Sequence, residues 1–188
     1  MRQEAFLRPP PRRPGTRRSY ESLLANLRLA LPGVTLRTTF VVGFPGETEA
    51  DVDELVDFIK TIEFDHVGVF TYSHEEGTAA AAMDDDVPAA VKRKRQRRVM
   101  QVQQRIVARR QKARVGQRVR VVVDGPSKEH ELVLQGRLPG QAPDVDPVVF
   151  FTDCDPTDYP RGTFVDAEVV DAVGYDLIVR PIELEATP

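Results

Sequence analysis

A short segment containing glycine and proline, between a β-prone run and an amphipathic stretch, constrains the fold of this chain most. Residues 36–42 favour a strand and are followed by Gly43-Phe44-Pro45-Gly46-Glu47-Thr48. Glycine permits positive φ and close backbone approach, and proline stiffens a turn. A strand, a tight turn and a helix start form a junction where α/β proteins commonly bind ligands. An ordinary βα turn without a ligand fits the same pattern.

The composition is ordinary for a soluble globular protein. Of the 188 residues, 41% are apolar and 29% are charged. No run approaches the roughly 18 apolar residues that a membrane span needs, and no secretory signal is visible. Cys154 is the only cysteine, which excludes an internal disulfide framework and any metal cluster held by cysteines alone. We therefore expect a cytoplasmic protein with no membrane partner.

Charge is segregated along the chain. Residues 88–114 contain eleven Lys or Arg and no acid, whereas residues 115–188 contain six Lys or Arg against fourteen Asp or Glu. Lys92, Arg95 and Arg98 are three residues apart and would share one helix face, which could meet nucleic acid. Because no aromatic side chains interleave with these cations, a solvated linker helix is the interpretation that we favour.

Periodicity and capping residues predict a first domain over residues 16–114. Thr16 can cap a helix that ends at Leu31-Pro32-Gly33, and a strand is predicted at residues 34–42. Thr48 and Asp51 form a capping-box pattern at the start of a second helix. The apolar stripe of that helix is Val52, Leu55, Val56, Ile59 and Ile62.

A second strand at residues 66–72 completes a right-handed parallel crossover, which resembles part of a larger barrel or open sheet. Pro88 then begins a long helix that reaches about Arg114. Its apolar stripe is thin (Val91, Val99, Val102 and Ile106), which predicts that much of the helix is solvated. Residues 1–15 are rich in Pro and Arg, and we expect them to be disordered.

The sequence from residue 115 to 183 predicts a second, all-β domain, followed by a tail at residues 184–188. Glycine and proline turns separate its short strands. The strands are predicted at residues 118–124, 132–137, 148–152, 163–170 and 176–180. Five short strands in so few residues indicate a small closed barrel of the oligonucleotide-binding type.

Two further features could bear chemistry. Arg37 and Thr39 point to one side of the first strand, which favours a polar barrel lumen where Arg would suit a carboxylate. A strand start near solvent is the alternative. His74-Glu75-Glu76 could supply acid–base groups or metal ligands, but a single His makes a poor metal site, so we favour solvated loop charges.

Residues 37–48 (RTTFVVGFPGET), together with Gly68-Val69-Phe70-Thr71-Tyr72-Ser73 and Glu75-Glu76-Gly77-Thr78, closely resemble the radical S-adenosylmethionine methylthiotransferases. Gly136-Arg137 and residues 142–146 (APDVD) resemble the TRAM domain that ends those enzymes. The resemblance covers roughly residues 12–183. It implies the C-terminal section of a partial (βα)6 barrel, a long basic linker helix, and a five-stranded TRAM barrel.

The resemblance also implies a cofactor site for S-adenosylmethionine. Val42, Gly43 and Phe44 would lie near its adenine or ribose, Arg37 would face its polar end, and Phe70 and Tyr72 would line the same end of the barrel. Within the family, the details favour the branch that methylthiolates an aspartate of a small-subunit ribosomal protein. The acidic second domain independently suits such a basic partner, because it repels a phosphate backbone.

Two alternatives stay open. One is a tRNA methylthiotransferase, whose TRAM domain binds RNA; the other is a non-catalytic adaptor that uses its TRAM barrel to dock a ribosomal protein or RNA. The family holds [4Fe–4S] clusters on three-cysteine motifs, and neither motif occurs in this chain. We therefore expect no metal ligands or catalytic residues here, and no activity of this chain alone. Acidic neighbours should raise the pKa of the Cys154 thiol, so we expect no reactive role for it.

Overall fold

The structure, a computed structural model, describes residues 15–84, 86–127 and 132–182. The chain divides into two compact units, Met1–Ile106 and Val107–Pro188. The predicted disorder of residues 1–15 falls almost wholly outside the described residues, as does the predicted tail. No helix in the described ranges is long and apolar enough to cross a membrane.

The first helix, α1 (Arg17–Ala30), begins as predicted. The hydroxyl of Thr16 accepts a hydrogen bond from the backbone N–H of Ser19, and the Ser19 hydroxyl accepts one from the backbone N–H of Thr16. This reciprocal pair satisfies two N–H groups that a helix start would otherwise leave unpaired. At the other end, Leu31 closes the helix by donating its backbone N–H to the carbonyl of Leu27.

Two parallel strands follow, β1 (Arg37–Val42) and β2 (His66–Thr71), joined by helix α2 (Glu49–Ile62). The pairing runs in register from Arg37 opposite His66 to Val42 opposite Thr71. The predicted strand–helix–strand unit is confirmed, although β1 begins three residues later than expected. The capping box between Thr48 and Asp51 is also present.

One face of this small sheet is packed into a core. All five residues predicted for the apolar stripe of α2 are buried, together with Val42 and Val69 from the strands and Val99 and Ile106 from the following helix. A neighbouring cluster is formed by Leu36, Phe58, Ile62 and Phe64. The alternation of the strands therefore leaves the opposite face of the sheet, which carries Arg37 and Phe70, outside this core.

The long helix α3 (Ala89–Lys112) agrees with its predicted bounds within two residues, and much of it is exposed as predicted, but the face that carries Lys92 and Arg95 is buried there. Lys92 and Arg95 are each only 6% exposed, and Gln103 is fully buried. The side chain of Gln103 donates to the carbonyl of Phe64 over 2.8 Å. Polar side chains thus fill positions that the sequence pattern assigned to solvent, because their partners lie on other elements.

The second unit contains five strands that form a closed barrel in the order β3-β4-β5-β7-β6. The strands are β3 (Arg118–Pro126), β4 (Leu134–Arg137), β5 (Val149–Phe151), β6 (Phe164–Val173) and β7 (Asp176–Pro181). All neighbours are antiparallel except β5 and β7. The predicted five-stranded barrel is confirmed.

Small and branched side chains fill the interior of the barrel. Those of Val121, Val149, Val169, Leu177 and Val179 are completely buried. Gly136 lets two strands approach closely, since a Cβ there would lie 2.4 Å from the carbonyl oxygen of Val122. Residues that alternate along each strand therefore supply this core, as expected for a small closed barrel.

Candidate functional site

The carboxyl ends of β1 and β2 lie at the same level and form what we call the strand-end site: residues 43–48 together with Tyr72. Tyr72 donates its backbone N–H to the carbonyl of Val42 over 2.8 Å, which extends the parallel pairing by one bond. The rings of Phe44 and Tyr72 meet edge to face with centroids 5.2 Å apart. The structure therefore brings together four of the six predicted cofactor residues: Val42, Gly43, Phe44 and Tyr72.

A buried carboxylate holds the turn in shape. The backbone N–H of Gly43 donates to Glu47 Oε1 over 2.8 Å, and Arg95 Nη1 donates to the same oxygen over 2.8 Å. Arg95 also donates to the carbonyl of Glu47 over 3.1 Å and, through Nε, to Glu49 Oε1 over 3.0 Å. The pKa of the Glu47 carboxyl is raised above its ordinary value, because the effect of burial is the largest. The hydrogen bonds from Gly43 and Arg95 and the charge of Arg95 act in the opposite direction and reduce the rise.

Lys92 contacts both loops of the site. A Cβ at position 43 would lie 2.3 Å from Lys92 Cγ, so the alkyl chain of the lysine fills the space that a larger residue would need. Its ammonium group donates to the carbonyl of Tyr72 over 3.3 Å and lies 4.9 Å from the centre of the Tyr72 ring. The close approach expected at Gly43 is therefore made by this side chain.

These contacts leave fewer atoms of Val42 and Gly43 that could contact a cofactor. The side chain of Val42 is fully buried in the core and cannot reach a ligand, and its carbonyl already accepts a hydrogen bond from Tyr72. The N–H of Gly43 is taken by Glu47. Gly43 and Gly46 do adopt the predicted positive φ, 76° and 77°. Contact of these residues with a cofactor stays a prediction.

The open face of the sheet carries the other two predicted cofactor residues, Arg37 and Phe70. Phe70 is 62% exposed and is paired across the strands with Val41, which is 52% exposed. Arg37 and Thr39 lie on this same face, as predicted from their alternation, and both are exposed. Arg37 stands at the far end of β1, about 16 Å along the strand from Val42. The structure therefore does not place it beside Phe44 and Tyr72.

One polar atom of the strand-end site lacks a partner. Among the residues that the structure describes, the buried hydroxyl of Tyr72 has no hydrogen-bond partner. An unpaired buried hydroxyl costs about 1–3 kcal/mol, which a polar group of a ligand would offset. The exposed ring of Phe70, two residues earlier in the chain, offers an apolar surface on the open face of the sheet.

The side chains of this chain do not fit an iron–sulfur cluster. Within residues 15–84, 86–127 and 132–182, no group of three His, Cys, Asp or Glu side chains could hold a metal ion. The one cysteine follows β5, where burial raises the pKa of the Cys154 thiol and Asp153, Asp155 and Asp158 raise it further. The predicted direction of this shift is confirmed. His74, Glu75 and Glu76 are exposed, as we expected of solvated loop residues.

The barrel has a groove of about 910 Å³ lined by residues of strands β3, β4 and β5 and of the loops beside them. Its carboxylates organise the backbone around it: Asp146 Oδ2 accepts from the N–H of Ala142 over 2.6 Å, and Asp176 Oδ1 accepts from that of Val148 over 3.0 Å. Asp124 pairs with Arg137. The segment at residues 142–146, singled out in the sequence, therefore forms one wall of this groove.

Sequence reasoning missed the contribution of α3. Lys92, Arg95 and Gln96 all contact the strands or the turn; the Gln96 amide donates to the carbonyl of Val69 over 2.7 Å. The available signal was the thinness of the apolar stripe. A helix with so few apolar positions needs polar contacts to pack, and Glu47 in the glycine turn and Glu49 at the start of α2 supply them.

Comparison with known proteins defines the class first. The family model for the TRAM domain matches residues 115–182, which include all five strands of the closed barrel. Residues 115–182 are therefore a TRAM domain.

Individual proteins match a longer part of the chain than the TRAM model does. The chain is 46% identical over 163 residues to the ribosomal protein uS12 methylthiotransferase RimO of Myxococcus xanthus. The aligned segment covers 87% of this chain and 34% of that protein. RimO of Anaeromyxobacter sp. strain K is 48% identical over 160 residues, with 85% and 34% covered, and RimO of Trichlorobacter lovleyi is 44% identical over 162 residues, with 86% and 35% covered. The chain is similar to these RimO methylthiotransferases over most of its own length and spans about a third of theirs.

Proposed function

We propose that this sequence is part of a radical S-adenosylmethionine enzyme that transfers a methylthio group to an aspartate of ribosomal protein uS12 in the cytoplasm. The observation that supports this function is the shared name of the relatives, which match more than four fifths of the chain. The matching relatives named above are uS12 enzymes, so the tRNA-modifying alternative is not favoured.

The strand-end site and the open face of the sheet would form one wall of the cofactor site. When bound, S-adenosylmethionine supplies the methyl group and a source of carbon radicals. Phe44, Tyr72 and the exposed Phe70 would pack against its adenine, as aromatic rings do in nucleoside sites. The unpartnered hydroxyl of Tyr72 would satisfy a polar group of the cofactor, and Arg37 would orient its carboxylate from the other end of β1.

The iron–sulfur chemistry of the family lies outside what these residues support. A [4Fe–4S] cluster is held by cysteine thiolates, and Cys154 is the single cysteine of the chain. We infer that the chain alone binds no such cluster and is inactive. Reconstitution with iron and sulfide tests this inference: a stable protein-bound cluster, seen as broad visible absorbance, would contradict it.

The barrel unit would recruit the substrate protein. Residues 115–188 contain six basic and fourteen acidic residues, a balance that repels RNA and attracts a basic ribosomal protein. The groove beside residues 142–146 offers a concave surface for this contact.

A chimera tests the function of the whole enzyme. Residues 16–182 would replace the matching segment of the Myxococcus xanthus relative, and the uS12 peptides would be examined by mass spectrometry after reaction. We expect the aspartate peptide to gain the mass of one methylthio group. The unmodified relative is the positive control. A soluble chimera that leaves uS12 unmodified while its parent modifies it would contradict the proposal.

Binding by the chain itself separates the two substrate classes. We expect purified uS12 to bind the 188-residue chain and to be released when Asp144 and Asp146 are both replaced by Asn. Transfer RNA should bind weakly. Tight capture of tRNA, with affinity that falls steeply as salt rises, would favour the tRNA-modifying branch instead.

A further inference from the structure

We propose that Lys92 is a positioning residue that fixes the distance and angle between the two loops of the strand-end site. The inference deepens the proposed function, since it rests on that site being the one that holds the cofactor. It concerns a residue of the basic helix, for which the sequence pattern favoured a solvated face over contact with nucleic acid.

The first step is that one side chain reaches both loops. The alkyl chain of Lys92 packs on the backbone of Gly43, after β1, and its ammonium binds the carbonyl of Tyr72, after β2. At these ends the strands themselves are joined by the bond from Tyr72 N–H to the carbonyl of Val42. Lys92 therefore adds a further connection to the backbone bond and the Phe44–Tyr72 ring contact that already join the two loops.

The second step is that the helix presenting Lys92 is itself held in place. Arg95 binds Glu47 and Glu49, and Gln96 binds the carbonyl of Val69. These residues are three and four positions from Lys92 and therefore lie on the same side of α3. The position of the ammonium relative to the sheet is thus set by contacts one turn further along the same face of α3.

The third step is that the Tyr72 ring has a defined place. The ammonium lies 4.9 Å from the ring centre, and Phe44 meets the ring edge to face. A cation over an aromatic face favours one orientation of that ring. Because the ring carries the unpartnered hydroxyl, its orientation decides where a polar group of the ligand would bind.

Lys92→Met tests the role, since methionine keeps most of the alkyl chain and removes only the cation. In the isotope-labelled chain, the orientations of the Gly43 and Tyr72 amides are measured from residual dipolar couplings. S-adenosylhomocysteine, which is unreactive, is then titrated in. We expect both amides to reorient while the rest of the unit is unchanged, and the affinity to fall about fivefold, as for one lost hydrogen bond.

Two controls separate positioning from general stability. Lys94→Met removes an exposed cation of the same helix and should change neither measurement. Lys92→Arg keeps a cation and should restore most of the affinity and the wild-type couplings. Wild-type couplings and wild-type affinity in a folded Lys92→Met variant would overturn the inference.

The test also distinguishes this inference from the proposed function. If the wild-type chain does not bind S-adenosylhomocysteine, the cofactor assignment of the strand-end site fails, while the amide orientations still decide the role of Lys92. If Lys92→Met does not fold, Lys92→Gln is measured in the same way, since it keeps Cβ and Cγ against Gly43 and a polar end but removes the cation. Unchanged Gly43 and Tyr72 amides in that variant would refute the connection between the loops.

Discussion

The alkyl chain of Lys92, in the first turn of the charged helix α3, fills the space beside Gly43, which lies in a βα turn. The alkyl chain of Lys92 lies where a Cβ of residue 43 would be, with a separation of 2.3 Å from Cγ. Glycine is therefore required at position 43 for two reasons, its φ of 76° and the presence of this side chain.

Gly43→Ala should destabilise the first unit by about 2–4 kcal/mol, because it adds a steric clash to an unfavourable backbone conformation. Gly46→Ala is a matched control, since its φ is 77° but nothing lies within 4 Å of the added Cβ. Only the backbone cost, about 1–2 kcal/mol, is expected there. Urea unfolding measures both. Equal losses in the two variants would show that Lys92 does not crowd Gly43.

Arg95→Met should cost about 3 kcal/mol in the free energy of unfolding, because it leaves the buried Glu47 carboxylate without its cation. Arg98 is one turn further along α3 and pairs with Asp53 and Glu49 at the surface. Arg98→Met should therefore cost less than about 1 kcal/mol. Thermal and urea unfolding of the two variants would reveal the difference; similar losses would argue against a buried ion pair.

Glu47→Gln should alter the pH dependence of stability. Because burial raises the pKa of Glu47 above 4.5, the folded state binds this proton more tightly than the unfolded state. The free energy of unfolding of the wild type should therefore fall, relative to the Gln variant, as the pH rises above 4.5. Urea unfolding of both proteins between about pH 4 and pH 7 gives the difference between their free energies of unfolding. The contributions of the other carboxyl groups cancel in this difference. A change of the opposite sign would mean that the Arg95 charge outweighs burial.

Asp153→Asn should make Cys154 modestly more reactive toward a disulfide reagent at mildly alkaline pH. Burial is the main reason that the pKa of the thiol is raised, and Asp153 is the next. Asn also tolerates the left-handed backbone of this position, where φ is 54°. Asp171→Asn, in an exposed part of β6, serves as the control. The rate as a function of pH gives the thiol pKa; an unchanged value in the Asp153 variant would exclude its influence.

Local signals in the sequence were sufficient for the fold. The capping residues at Thr16 and Thr48 and the stripe on α2 depend only on neighbours within one or two turns. The barrel strands were separated by glycine and proline turns. In such turns the backbone conformation depends on the glycine and proline residues themselves. These features depend on short-range chemistry, and the structure reproduces them with shifts of a few residues at strand ends.

The candidate site was predicted only in part, because its supporting contacts are long-range. Lys92 and Arg95 at three-residue spacing are typical of a solvated helix face. Their burial depends on Glu47, which is 48 residues before Arg95, and on the carbonyl of Tyr72. Periodicity within one helix carries no information about such partners. The strand alternation did place Arg37 on the open face, since it is a local property.

The closure of the barrel has a consequence for how the two units could be used. Every strand from β3 to β7 has a neighbour on both sides, so the described residues of the second unit offer no free strand edge to a foreign chain. We therefore expect residues 115–182 to fold when they are fused to an unrelated carrier protein. The two-stranded sheet has no such independence, and engineering should move it only with the helices that cover it.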